Sequence, residues 1–407
     1  MKVLWFSPTP SLFNPKTNSH NGGGWVASLE RIMQQEPSIQ LGVAFEFPSN
    51  SEKYQKTKAT YYTIDSRRGL KFSKVADQQK LRRCLYIIKD FNPDIIQIFG
   101  SETYFGRICE YTRIPVIIHM QGSMPPYLNA LFPQAMNKSD FIFTRGLSLK
   151  NRFIGLRSES SFYRRSMIEI QTLKNCNYFM GRTEWDKNLI KLFHPSAKYY
   201  HVEEALRDSF IKGDTKWEYP SMNSFGYQLI SVISDPWYKG FDLILKTAKL
   251  LKEQLNINFE WKVYGFKLYK FFEHKYGIKS ADVDVKIMGT ASKEQLVNAL
   301  CSSSCYIHPS YIDNSPNSVC EAQILGVPVI ATNVGGISSI VSDGRTGLLI
   351  PSNDPFTLSV DIMKVISDKE LSEKLSAEEI EIAEKRHNPE SIKKSIINTY
   401  LDVLRDN

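Results

Sequence analysis

The sequence predicts an α/β protein made of two doubly wound domains, and three observations carry that expectation. At 407 residues the chain is longer than one ordinary core accommodates. Short apolar runs of strand type alternate with helical patterns from end to end. Most of these runs lack a regular apolar–polar alternation, which is how strands read when helices cover both faces of a parallel sheet.

In the first half, "KVLWFSP", "LGVAFEF", "TYYTID", "DIIQIFG", "PVIIHMQG" and "NYFMGRT" read as buried strands, with helices at 26–35 and 74–91 between them. The second half repeats the habit. "YQLISVIS", "FEWKVYG", "VDVKIMGT", "CYIHPS", "PVIAT" and "GLLIP" are its strands, and "FDLILKTAKLLKEQL" and "SKEQLVNAL" are helices. The polar, turn-rich "GDTKWEYPSMNSFG" separates the halves, giving domains at 1–205 and 206–388. The charged tail reads as helices broken near Pro389, so 389–407 is a candidate to pack back on the first domain.

A content of 42% hydrophobic and 23% charged residues is that of a soluble globular protein. No apolar run approaches the roughly 18–20 residues of a membrane span, and the opening strand is too short for a signal peptide. The cysteines at 84, 109, 176, 301, 305 and 320 form neither a CxxC pair nor a Cys/His metal spacing. They read as reduced thiols in a cytoplasmic protein, and no metal site is expected.

Charge divides unevenly. Residues 1–200 hold 28 Lys+Arg against 15 Asp+Glu, or +13, whereas the remainder holds 23 against 28, or −5. A basic half suggests an anionic partner: nucleic acid, an anionic membrane surface or a phosphorylated substrate. Within it, Arg145, Lys150, Arg152, Arg157, Arg164, Arg165 and Lys174 interleave with Phe153, Ile154, Leu156, Phe162 and Tyr163. That pattern suits an element lying on a membrane surface and equally an amphipathic packing element.

Several places combine residue types suited to holding a phosphorylated sugar. Gly22, Gly23 and Gly24 precede a helix, where backbone and dipole favour a phosphate. Gly22-x-Gly24-x-x-Ala27 also fits the dinucleotide fingerprint, but it lies too far beyond its strand, so a long glycine loop over a cleft fits better. Lys239 follows the strand "YQLISVIS", at the sheet edge where α/β proteins bind ligands, and its charge suits a diphosphate. His119 ends "PVIIH" and is a candidate partner for a sugar hydroxyl, whereas His308, at another strand end, reads as structural.

The stretch "YIDNSPNSVCEAQ" places Asp313 before a helix and Glu321 inside it. With Ser315 as the cap and Pro316 at the first helical position, the amides of Asn317 and Ser318 form an anion site. Glu321, about one and a half turns in, suits a ribose.

These residues resemble a family. "HPSYIDNSPNSVCEAQILGVPVIATNVGGISSIVSDGRTGLLIP", with "NGGGW" and "KGFDLIL", is similar to the retaining GT-B-fold glycosyltransferases of sequence family 4. The likeness is strong over 226–355 and weaker over 1–205. It implies two Rossmann-like domains facing each other across a cleft, an N-terminal one for the acceptor and a C-terminal one for the nucleotide sugar. Asp313 and His119 would then face the donor sugar. Lys239, Pro316, Asn317, Ser318 and the glycines would hold its diphosphate, and Glu321 its ribose. Two positions depart from the pattern. Asp313 stands where the family usually has Glu, and Ile233 stands where it often has an Arg, leaving Arg182 and Arg207 as candidates to supply the charge.

The resemblance implies transfer of a hexosyl unit from a UDP-, GDP- or related sugar with retention, without metal or other cofactor, and by front-side attack without a dedicated base. With the basic first half it points to a lipid-linked glycan acceptor in surface polysaccharide synthesis, at the cytoplasmic face of the membrane. A nucleotide-sugar epimerase, an NAD-dependent oxidoreductase and a nucleic-acid-binding protein are the alternatives. The last leaves the sugar-nucleotide pattern unexplained, so nucleic acid is not expected as a partner.

Overall fold

The computed structural model describes residues 1–13, 23–66, 74–133, 135–143, 149–213, 215–220 and 226–407. It divides into two units. The first comprises 1–125, 163–207 and 387–407, and the second 126–162 and 208–386. The sequence division left 126–162 in the first domain. Its placement in the second has a packing cause: Phe132 and Met136 join the apolar core of that unit, and Asp140 pairs with Lys275 at 2.8 Å.

The first unit is built on eight strands: β1 (Lys2–Ser7), β2 (Gln40–Phe47), β3 (Lys53–Gln55), β4 (Ala59–Asp65), β5 (Ile95–Phe99), β6 (Val116–His119), β7 (Tyr178–Gly181) and β8 (Lys198–His201). Their order is β3-β4-β2-β1-β5-β6-β7-β8, and every pairing except β3–β4 is parallel. Two apolar clusters cover the two faces of this sheet. The helix Pro389–Asp406 belongs to one of them. Its Ile392, Ile396, Tyr400 and Val403 recur at helical spacing and are buried there, and Asn388 caps it by accepting from the Ser391 amide.

The second unit carries a wholly parallel six-stranded sheet: β9 (Tyr227–Val232), β10 (Phe259–Tyr264), β11 (Val285–Gly289), β12 (Cys305–His308), β13 (Val329–Thr332) and β14 (Leu348–Ile350). Their order is β11-β10-β9-β12-β13-β14. In each sheet, the order reverses beside the unit's first strand, between β1 and β5 and between β9 and β12. The crevice at the carboxyl ends of such strands is where open α/β sheets hold ligands.

Two sequence expectations change. Cys109 and Cys176 are joined as a disulfide, with Cα atoms 5.8 Å apart, leaving Cys84, Cys301, Cys305 and Cys320 as thiols. The pair lies 67 residues apart, so no local spacing announces it, and the cytoplasmic reading loses the support it took from reduced cysteines. The basic stretch forms a helix from Leu149 to Asn175, while 144–148 lie outside the described residues. Arg164 pairs with Asp77 and Arg165 with Glu102 at 2.8 Å, so these two arginines are partly neutralised within the fold. No helix among the described residues is long and apolar enough to cross a membrane.

Candidate functional site

The carboxyl ends of β9 and β12 bring together two of the sequence candidates. After β9 the chain makes a short 3-10 turn, Trp237–Lys239, closed by Gly240 at φ 76°. A Cβ on Gly240 would lie 1.9 Å from the Pro309 carbonyl oxygen, so only glycine lets this turn meet the one after β12. That close approach puts Lys239 Nζ 2.5 Å from Asp313 Oδ2. His308 Nε2 is 2.9 Å and Ser310 Oγ 3.3 Å from the same oxygen. Asp313 Oδ1 accepts from the Asn314 amide at 3.1 Å and lies 3.5 Å from the Tyr127 hydroxyl. The Tyr127 ring stacks on Tyr238 with centroids 5.1 Å apart.

The glycine pair of "TNVGGISS" acts on the same aspartate. The Gly336 amide donates to the Asp313 carbonyl at 3.0 Å, and a Cβ on Gly335, at φ 55°, would lie 1.9 Å from that oxygen. A bare backbone is needed there for the loop to grip Asp313.

The electrostatics follow from burial. Burial alone favours neutral Asp313, but the Lys239 charge and the His308 hydrogen bond outweigh it and hold the carboxyl far below the usual carboxylate range. Burial would likewise push Lys239 down, and Asp313 more than reverses this. His308 is buried and its pKa is lowered, desolvation being the largest cause. Lys239 and Asp313 therefore stand as a charged pair with a neutral imidazole against it.

The helix Asn317–Leu325 starts beside this pair. The sequence places Pro316 at the first helical position with Ser315 as cap. Pro316 is instead itself the cap residue, with ψ 122° keeping it extended, and it makes no side-chain capping bond. Asn317 and Ser318 form the first turn, whose dipole end favours an anion. Ser318 Oγ accepts from the Tyr306 hydroxyl at 2.8 Å. Gly326, at φ 80°, ends the helix in the left-handed conformation. Glu321 is 5% exposed, and its charge helps raise the Tyr306 pKa, after burial and Asp313. It is a buried acid, not a solvated one.

In the first unit, Gly23 and Gly24 open the helix Gly23–Met33, in place of the loop that the sequence suggested; Gly22 lies outside the described residues. His119 ends β6 and is 1% exposed. Its ring stacks on Phe99 at 5.7 Å and meets the Trp25 ring edge-on at 5.0 Å. Burial first, then the nearby Arg182 charge, lowers its pKa to about 3, so it is neutral at ordinary pH. Nδ1 faces Gln97 Nε2 at 3.1 Å, and Nε2 has no hydrogen-bond partner among the described residues.

Arg182 and Arg207 were the candidates for the charge absent at Ile233. Arg182 is 2% exposed and pairs with Glu204 at 3.3 Å within the first unit. Its charge is already matched, which weakens it as a phosphate ligand. Arg207 is half-buried at the last residue of that segment of the first unit.

Behind β6, Glu169 is fully buried and accepts from Ser101 Oγ at 2.7 Å, Ser123 Oγ at 3.0 Å and the Met124 amide at 2.5 Å. It thereby holds the loop that follows His119. Burial, then Glu102, raises its pKa from 4.5 to about 7. A group raised in the folded state gives stability that is complete below its unfolded pKa and is lost as pH rises through the folded one. Melting temperature is therefore expected to fall between pH 4.5 and 7, a window corresponding to about 3 kcal/mol. Thermal melts of Glu169→Gln across that window should lose this component of the slope.

Sequence reasoning passed over three residues here. His308 carried the same signal as His119, a histidine at the end of a buried strand, and was read as structural. Tyr127 is 186 residues from Asp313 and nothing local marks it. Gln97 lies inside a buried strand.

Residues 223–381 match the family described as Glycosyl transferases group 1. The matched segment is less than half of the chain. It contains Lys239, Asp313, Asn317, Ser318 and Glu321, so the cluster built above lies inside it except for Tyr127. Among curated relatives, an uncharacterised glycosyltransferase of Methanocaldococcus jannaschii is 30% identical over 148 residues, covering 36% of this chain and 40% of its own. A D-inositol 3-phosphate glycosyltransferase of Paenarthrobacter aurescens is 34% identical over 125 residues, covering 29% of this chain and 30% of its own. The aligned stretches thus span less than half the length of these relatives. Solved structures extend the likeness beyond this segment. Sucrose-phosphate synthase from Thermosynechococcus elongatus superposes with a TM-score of 0.72 at 12% identity, covering 100% of both chains. Anabaena HepE in complex with UDP gives 0.64 at 12% identity, over 99% of this chain and 100% of its own. The fold is that of the GT-B glycosyltransferases, two Rossmann-like α/β domains.

Proposed function

We propose that this chain is a retaining glycosyltransferase that moves a hexosyl unit from a nucleotide-diphosphate sugar to an acceptor hydroxyl. The observation that carries the reading is the Lys239–Asp313 pair, 2.5 Å apart, beside the N-terminus of the helix that bears buried Glu321. In the donor complex Lys239 turns from Asp313 to the diphosphate, aided by the first-turn amides of Asn317 and Ser318. Asp313, freed from the lysine and still oriented by His308 and Gly336, accepts from donor-sugar hydroxyls. Glu321 accepts from the ribose. The neighbouring HepE is named in complex with UDP-glucose, which makes a uridine donor the first to try.

The C1–O bond to the diphosphate breaks while the acceptor oxygen bonds to C1 on the same face, and its proton passes to the departing phosphate oxygen. Lys239 and the helix N-terminus stabilise the charge that grows on the leaving group. No metal is required in this scheme, so turnover in EDTA is expected to match that without it. The anomeric configuration of the product, read by proton NMR, tests retention, and inversion would overturn it. An epimerase would instead release altered donor with no acceptor present.

The acceptor we favour is a lipid-linked glycan, met at an anionic membrane surface. Tyr163 and Met167, one turn apart on the helix Leu149–Asn175, are 59% and 47% exposed beside a basic stretch. Because Arg164 and Arg165 have partners inside the protein, reversing their charge would disturb the fold as well. Tyr163→Ser with Met167→Ser is the cleaner test. It is expected to reduce sedimentation with anionic vesicles while leaving nucleotide binding unchanged. Unchanged sedimentation would remove the membrane contact.

A further inference from the structure

We infer that Gln97 and Tyr400 are positioning residues that set the tautomer of His119, making its Nε2–H a hydrogen-bond donor for a substrate hydroxyl. The inference rests on the proposed sugar-transfer reading only for what meets that donor. The tautomer itself follows from a buried chain within the first unit.

The chain starts at Trp5, whose indole can only donate. Its Nε1–H donates to the Tyr400 hydroxyl oxygen at 3.1 Å. The Tyr400 proton then turns to its other neighbour, the Gln97 side-chain carbonyl, and donates to Oε1. With Oε1 committed there, the Gln97 amide nitrogen faces His119 Nδ1 at 3.1 Å and donates to it. An imidazole that accepts at Nδ1 and is neutral carries its proton on Nε2. The reversed amide would leave the Tyr400 proton without an acceptor and set two donors on one phenol oxygen. Trp5, Gln97 and Tyr400 are fully buried and His119 nearly so, so water does not compete for these bonds.

The outcome is a neutral imidazole with a fixed donor. Nε2–H has no partner among the described residues, and a buried orphan donor is costly until a ligand oxygen meets it. Since His119 is 1% exposed, reaching it requires its cover to move, as substrate-closing enzymes commonly do. The same chain gives the C-terminal helix a task beyond packing. Tyr400 is 303 residues from Gln97, and without it no other described residue fixes which way the amide faces.

The test is nitrogen-15 NMR of histidine-labelled protein, with the His119 signals assigned by difference against His119→Asn. The proton is expected on Nε2 from pH 5 to 8. In Gln97→Glu, a carboxylate accepts from both neighbours, so the proton should move to Nδ1 or both nitrogens should carry one. Its kcat/KM should fall about tenfold, the value of one hydrogen bond, while binding of the nucleotide alone is retained. Tyr400→Phe should give a mixture of tautomers. A wild-type proton on Nδ1, or a folded Gln97→Glu variant with the original tautomer, would overturn the inference whether or not the enzyme transfers sugar. Tautomers as expected with no sugar transfer from any donor would instead fault the functional reading.

Discussion

Replacing Lys239 with alanine is expected to lower turnover about a hundred- to a thousandfold, the range seen when one preorganised group at a developing negative charge is removed. The effect should fall on kcat more than on KM, because in the proposed reaction charge on the leaving diphosphate grows toward the transition state. The same change removes the main influence that keeps Asp313 ionised. Burial then acts against the charge, opposed by hydrogen bonds from His308, Ser310 and the Asn314 amide but no longer by the cation of the pair, so the Asp313 pKa should climb. In the wild type, a carboxyl held below its ordinary value contributes stability that is present above the unfolded pKa and lost as pH falls through the folded one. Acid melts of Lys239→Ala should therefore lose that component at low pH. Turnover measured with saturating donor, beside those melts, separates the catalytic from the electrostatic effect. An unchanged kcat would remove Lys239 from the mechanism.

Asp313→Ala is expected to be the more damaging change for the fold. It leaves Lys239 as an uncompensated charge in a largely buried place, which typically costs about 3–5 kcal/mol. Asp313→Ala combined with Lys239→Met removes both charges and should recover most of that loss without recovering activity. This cycle distinguishes a pair kept for stability from one kept for chemistry. Asp313→Glu addresses donor choice. One more methylene moves the carboxylate outward against Tyr127 and Lys239, so donor preference should shift while the ion pair survives. Urea or thermal unfolding gives the first result, and competition among sugar nucleotides gives the second.

Much of the second unit was legible because its four inner strands are largely buried on both faces. All six of its strand runs were read from apolar content alone. In the first unit two strands were passed over, β3 and β8, and both lie at sheet edges. β3 is three residues long and largely exposed, and β8 shows no buried residue. An edge strand that faces water loses the apolar signal by which strands are recognised. The movement of 126–162 into the second unit had no local signature either. It depends on Phe132 and Met136 finding a core whose other members are far away in sequence.

The candidate site divides on the same line. Lys239, Asp313 and Glu321 were legible because chemistry and position coincide: a charged residue in the turn after a strand or inside the helix that follows it, with Gly240 beside Lys239. The contacts that tune them were not, since each joins distant segments. Lys239 and Asp313 are 74 residues apart, and Trp5 and Tyr400 are 395. Arg182 illustrates the converse. It stands at a strand end with the right charge, but Glu204 already answers it.

The central claim is that the second unit holds a nucleotide-diphosphate sugar through Lys239, Asp313 and the adjoining helix. Thermal shift of the wild type and of Lys239→Ala against UDP-, GDP-, ADP- and TDP-sugars tests it most directly. A ligand specific for the folded state stabilises it by about 2.7 kcal/mol at a hundredfold excess over Kd. One nucleotide series is expected to raise the wild-type melting temperature with rising concentration, and Lys239→Ala should lose most of that rise. No response to any of the four series, or an equal response in both proteins, would contradict the account.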